Sequence, residues 1–171
     1  MRYYDEIYSE AIPFKIVKYI SLAEAGLGVV FLILYIMQMS GNLGIDEELP
    51  SYFFLIMAAI MFAVAVLLFN LTRLRLGITT DAVRASFGFI KFEVPLGNVA
   101  KVSTDEGSGI KYGGWGIRLT KIKEGWLLAY TSIGYKRVAL ELKEHKYKRF
   151  VFSTAHPDEV VNVIKQQLKG S

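Results

Sequence analysis

Tyr52 to Leu71, YFFLIMAAIMFAVAVLLFNL, is a run of 20 residues without a charge. As a helix it would reach about 30 Å, the thickness of a bilayer's hydrocarbon core. Core helices of soluble proteins are rarely apolar all round for that length, so the run reads as membrane-spanning. A second run, Tyr19 to Met39, has 21 residues and one charge, Glu24. The link between them, Ser40 to Ser51, is short and polar and carries Asp46, Glu47 and Glu48. A short link forces the two spans to run antiparallel.

Lys15 and Lys18 precede the first span, Arg73 and Arg75 follow the second, and the link holds no Lys or Arg. The positive-inside rule then places the link outside and both termini in the cytoplasm, in a multi-pass protein of the cell membrane. Glu24 lies near the cytosolic end of its span. In an antiparallel hairpin Asn70 and Arg73 reach the same depth, so Glu24 is placed to pair with one of them or to snorkel. Small residues, including Ala59 and Ala63 at small-xxx-small spacing, suit close helix packing within the hairpin or self-association.

Charge divides the chain. Residues 1–71 hold three Lys+Arg against seven Asp+Glu, and residues 72–171 hold seventeen against nine. A basic half tethered to a bilayer points to anionic lipid headgroups before nucleic acid, for which no motif is present. The absence of cysteine removes thiolate chemistry and Cys metal sites, and the two histidines, His145 and His156, fit no metal-ligand spacing. No cofactor, metal, catalytic set or small-molecule substrate is indicated, and the expectation is a protein without enzymatic activity. Asp105 and Glu106 are adjacent, but neighbouring strand residues point to opposite faces, so they make no catalytic pair.

Three segments follow. Residues 1–15 form a cytosolic or interfacial piece, with Tyr3, Tyr4, Ile7, Tyr8, Ala11 and Ile12 at helical spacing; it reads either as a short amphipathic helix or as a frayed terminus. Its acidic start, and the long apolar run behind it without a small-residue cleavage site, are unlike a signal peptide. Residues 16–72 hold the hairpin. Residues 73–171 change period to alternation, in seven or eight short runs from RLRLGITT to KRFVFST, the pattern of an antiparallel barrel or sandwich. Pro95 suits a strand end or edge. A closing helix begins at Pro157 with His156 as N-cap, Asp158 and Glu159 at its positive start and Lys165 and Lys169 toward its negative end.

Three stretches carry a family resemblance. They are FEVPLGNVAKV (Phe92–Val102); YGGWGIR (Tyr112–Arg118), followed by GWLLAYTSIGYKRVALELK; and KRFVFSTAHPDEVVNVI (Lys148–Ile164). Together they resemble the bacterial and archaeal pleckstrin-homology-like (PH-like) domains that follow a two-span hairpin. The resemblance implies an α+β membrane protein, in which about seven antiparallel strands form a barrel capped by a C-terminal helix. It implies a fold more than an activity.

Two stretches are candidate sites. The run KEHKYKR offers Lys143, Lys146, Tyr147, Lys148 and Arg149 to anionic headgroups or a partner; otherwise it is a solvated hairpin. Phosphoinositide-binding PH domains carry basic residues around their first hairpin. Here that hairpin adds only Arg84 and Lys91, an argument against specific inositide binding. The glycine-rich Gly107–Gly116 lacks the Gly-Lys-Ser/Thr and following helix of a phosphate loop, so it reads as a turn. Trp115 within it either packs on the strands or sits at the bilayer interface. His145 reads as an exposed titratable side chain. The leading expectation is a membrane-anchored binding module for a protein, a peptide or lipid headgroups. The alternative is an accessory structural subunit of a larger membrane complex, or a homo-oligomer, joined through the hairpin.

Overall fold

The computed structural model describes residues 6–41, 50, 52–107 and 114–170. The acidic residues of the link and most of the glycine-rich stretch lie outside the described residues. The chain forms two units: Lys15–Thr72, and the residues before and after that segment.

The helical unit holds α1 (Lys15–Met39) and α2 (Phe53–Asn70), both long and apolar enough to cross a membrane. α1 starts four residues before the expected span. The helices run antiparallel. Ser21 Oγ donates to the Ala65 carbonyl at 2.8 Å, Gly28 faces the Phe62 ring, and Phe31 stacks near Phe54. The close-packing positions are Ser21, Gly28, Ala58 and Ala65, all buried. Ala59 and Ala63 are exposed, so that small-xxx-small pair takes no part in packing the hairpin. Large apolar side chains such as Leu22, Leu27, Ile33, Ile60 and Leu67 are exposed as well. Helices of a soluble core bury such residues, whereas a lipid-facing pair leaves them outward. The Asn70 amide donates to the Val66 carbonyl one turn back at 2.9 Å, rather than to Glu24. Near a helix end that carbonyl is the nearest acceptor.

The other unit is a β unit of two sheets and a helix. β1 (Tyr8–Pro13), β2 (Arg73–Ile78), β3 (Ala82–Phe87) and β4 (Ile90–Pro95) form one antiparallel sheet in that order. A 3₁₀ turn (Leu96–Asn98) leads to β5 (Val99–Asp105). Then come β6 (Gly116–Ile122), β7 (Gly125–Thr131), β8 (Lys136–Leu142) and β9 (Tyr147–Thr154). The second sheet has the order β5-β8-β9-β7-β6. α3 (Pro157–Gly170) closes the chain, burying Val160, Val161 and Ile164. Each such side chain contributes about 2 kcal/mol.

Two expectations are corrected. The described part of the N-terminal segment is neither an amphipathic helix nor frayed, because Tyr8–Pro13 is a strand. Tyr8, Glu10 and Ile12 turn to one face, and Pro13 pairs with Arg73 and Tyr8 with Ile78. A segment this short fits period 2 and period 3.6 alike, and its partner lies beyond the hairpin. The strands also do not form one closed antiparallel barrel. They make two open sheets, and β7 pairs parallel with β9. Alternation tells which face is buried, not which neighbour takes an edge's hydrogen bonds.

β9 runs from β4 to β1, across the strands of the first sheet. β9 starts with Tyr147 and Phe150 on Phe92 of β4, at ring distances of 5.5 and 4.7 Å. It ends with Thr154 Oγ1 donating to Glu10 of β1 at 2.6 Å. The Glu10 carboxylate also accepts the Ala155 N–H at 2.8 Å and the Tyr8 hydroxyl at 2.9 Å. Glu10 thereby fastens the strand that precedes the hairpin to the entry of α3. His156 occupies the N-cap position as expected. Its carbonyl accepts the Val160 N–H, and its own N–H is taken by Thr154 Oγ1.

Two tests follow from these contacts. A Cβ on Gly28 would stand 3.1 Å from the Phe62 ring. Gly28→Leu is therefore expected to destabilise the hairpin by about 1–3 kcal/mol through overpacking, read by unfolding in mild detergent, with Gly26→Leu, where space is open, near neutral. Burial, with Glu10 nearby, pushes the Tyr8 phenol from 10.0 up to about 12. Between those values the unfolded chain releases the proton and the folded chain keeps it, so stability falls as pH rises. Thermal melts of the wild type and Tyr8→Phe across this range should show the wild type losing more stability; parallel curves would contradict the assignment.

Candidate functional site

The basic run forms the turn between β8 and β9. Lys143 is held at the end of β4: its N–H donates to the Asn98 carbonyl at 2.9 Å and its Nζ to the Gly97 carbonyl at 3.3 Å. His145 is not freely exposed. Its Nδ1 accepts the Tyr147 N–H at 3.1 Å, which closes the turn, and its ring packs edge-on against Phe92 at 5.5 Å. Tyr147 meets the same Phe92 ring, and burial holds the neighbouring Tyr130 phenol above its ordinary range. Lys146 Nζ stands 5.8 Å from the Tyr147 ring, a cation–π distance. Lys146 and Lys148 are exposed and form no ion pair among the described residues. The turn therefore offers two free cations over an aromatic base, beside the open edge of β4.

Arg149 differs from the other basic residues of the run. Its guanidinium lies 3.7 Å from Asp105 Oδ1, while Arg137 Nε donates to Asp105 Oδ2 at 3.1 Å. The Asp105 side chain is 7% exposed and that of Arg137 10%. Two guanidiniums on one buried carboxylate leave a net positive charge on this part of the sheet. Burial also makes loss of the carboxylate costly. Sequence reading placed Arg149 among the free cations, because Asp105 and Arg149 stand 44 positions apart and meet only through the order β5-β8-β9. No signal marked Arg137 as buried, since in KRVALELK it is out of phase with Val138, Leu140 and Leu142. Glu106 is exposed, so it and Asp105 do not share a site.

Trp115 is partly exposed between Gly114 and Gly116, whose φ values of 105° and 90° favour glycine. A strand follows, not a helix, which fits a turn rather than a phosphate loop. Lys15, Lys18, Arg73 and Arg75 are all exposed, the arginines on β2 opposite Pro13 and Ala11. Glu24 is half-buried on α1.

An open cleft of about 550 Å³ lies between the β7–β8 turn and the start of α3, lined in part by Lys136, Thr154, His156, Asp158 and Glu159. Carboxylates in the first turn already balance the positive helix end, so the cleft is poorly suited to an anion. Among the described residues no group of three or more His, Asp or Glu is placed to hold a metal ion. No protein-family model, curated protein or solved structure matches the chain.

Removing the carboxylate in Asp105→Ala leaves Arg137 buried without its acidic partner and is expected to cost about 3 kcal/mol. Arg149→Ala, at a more exposed site, should cost about 1 kcal/mol. Chemical denaturation of the two variants checks the order; equal losses would contradict it.

Proposed function

We propose that the chain is a membrane-anchored, non-catalytic binding module of the PH-like kind, held at the cytosolic face of the cell membrane with both termini inside. It takes an extended acidic polypeptide segment along β4 and the adjoining β8–β9 turn. Orientation is supported by the cations that flank both helices and by their absence from the link.

The observation that carries the ligand class is the pairing of Lys146 and Lys148 with an open sheet edge. Both lysines are exposed, neither is ion-paired among the described residues, and the turn rests on Phe92 of β4. β4 pairs only with β3, so its outer main-chain groups can accept a strand. Acidic side chains on that strand would meet the two lysines. A polypeptide is favoured over headgroups here because Lys143 ties the turn to the end of β4 remote from Pro13 and Arg73, where the chain enters and leaves the helices.

A second reading, an accessory subunit joined through the hairpin, draws on the outward Ala59 and Ala63 and on Gly26, which has open space around it. One experiment separates the two. A photo-crosslinker is placed at Glu93 or at Ala59 in the full chain in its own membranes. The module reading expects a discrete polypeptide adduct from Glu93, weakened at least about tenfold, or about 1.4 kcal/mol, by Lys146→Glu with Lys148→Glu. Adducts only from Ala59, or Glu93 adducts indifferent to the charge reversals, would overturn it.

A further inference from the structure

The β unit carries an apolar rim that the binding reading does not use. Among its described residues, every exposed large apolar side chain except Ile7 lies on three pieces of chain. Phe89, 69% exposed, and Ile90 form the β3–β4 turn; Trp115, Leu119 and Trp126 belong to the β6–β7 hairpin and its lead-in; Ile133 is in the β7–β8 turn.

Each of the three pieces reaches one end of the β unit. Phe87 pairs with Leu74 and with Ile90, one residue along β2 from the Pro13–Arg73 pair. Ser132 Oγ donates to the Pro13 carbonyl at 3.4 Å, which brings the β7–β8 turn to the same end. The Phe14 ring lies 3.9 Å from where a Cβ on Gly116 would stand, which brings the start of β6 there too. The aromatic contacts give the direction across the second sheet. Phe150 of β9 packs on Phe92, whereas Tyr130 of β7 reaches Phe87, nearer that end. β6, outside β7, is therefore the strand furthest toward the Pro13–Arg73 pair. From that pair the chain enters α1 after Phe14 alone and returns from α2 through Leu71 and Thr72. So short a connection reaches about 3.5 Å per residue.

Charge agrees. Over residues 86–91, 114–126 and 132–136 the basic residues are Lys91, Arg118, Lys121, Lys123 and Lys136, against one acidic residue, Glu124. Apolar and indole side chains ringed by cations match the interfacial zone of a bilayer containing anionic lipid.

We infer that this end of the β unit is a second membrane contact: the Phe89–Ile90 turn and the β6–β7 hairpin with both tryptophans sit in the headgroup region of the bilayer crossed by α1 and α2. The inference rests on the spanning reading of those helices and is independent of the partner proposed for β4. It turns a tethered unit into a docked one.

The protein's two tryptophans, Trp115 and Trp126, both belong to this rim and serve as probes. The full chain is reconstituted into vesicles of phosphatidylcholine and phosphatidylglycerol whose acyl chains are brominated at shallow or deep positions. Emission should be blue-shifted and lost chiefly to shallow bromines. Phe89→Ser with Ile90→Ser should weaken that loss without lowering the melting temperature. Leu32→Trp, in a chain with both native tryptophans replaced by Phe, reports on α1 and should be quenched by deep bromines. Quenching of the Leu32→Trp probe with none at Trp115 or Trp126 would overturn the docked rim and leave the spans intact. Absence of quenching at the Leu32→Trp probe would overturn the spans and the rim together.

Discussion

The pairing of β1 with β2 is the constraint on which the rest depends. It joins residues 60 positions apart, Pro13 and Arg73, with both helices between them. Closing so long a loop is entropically unfavourable, though the cost grows only with the logarithm of its length. Antiparallel packing of α1 on α2, through Ser21, Gly28, Ala58 and Ala65, brings the two ends together and removes much of that cost. The hairpin is thus an insertion between two neighbouring strands, not an appendage in front of a domain. Glu10 secures the arrangement. Its carboxylate accepts three hydrogen bonds, two of them from Thr154 and Ala155 at the far end of the chain. Bonds to a charged acceptor contribute about 1.5–3 kcal/mol each, so one side chain binds the first strand, the last strand and the entry of α3.

The path of β9 from β4 to β1 decides what each end of the β unit displays. An aligned sandwich would bring like ends of all strands together. Here the aromatic seam of Phe87, Phe92, Tyr130 and Phe150 runs from the strand-entry end to mid-sheet, and the second sheet steps across it strand by strand. The start of β6, with Trp115 just before it, therefore falls beside the chain's entry to the helices, while β5 follows the turn at the opposite end of β4. Basic residues that look evenly scattered along the sequence become separate groups in space.

Much of this was legible in the residues. The seven or eight alternating runs expected from Thr72 onward appear as the strands β2–β9, and the closing helix begins at Pro157 with the expected cap. Both apolar runs are helices, because a run apolar all round leaves a helix little choice of surroundings. What escaped the sequence was pairing. YSEAIP carries alternation, but its hydrogen-bond partner lies beyond the hairpin. The parallel contact of β7 with β9 leaves no periodic trace. Arg149 looked free because its carboxylate is two strands away. Each failure concerns contacts between distant segments, which local pattern does not encode.

The same limits explain why the basic turn is legible as a feature and not as a function. KEHKYKR shows its charge in the sequence, yet only the fold shows that Lys143 bonds to Gly97 and Arg149 meets Asp105 while Lys146 and Lys148 form no ion pair among the described residues. Two solvated lysines are a weak site in free solution, since exposed ion pairs contribute less than about 1 kcal/mol. On the proposed reading, confinement to a membrane changes the requirement. A ligand held in the same thin layer meets the turn at an effective concentration set by geometry rather than by its bulk abundance. Weak, salt-sensitive contact is then sufficient, and an open β4 edge supplies the main-chain bonds that two lysines lack. On that reading an enclosed, high-affinity pocket is unnecessary.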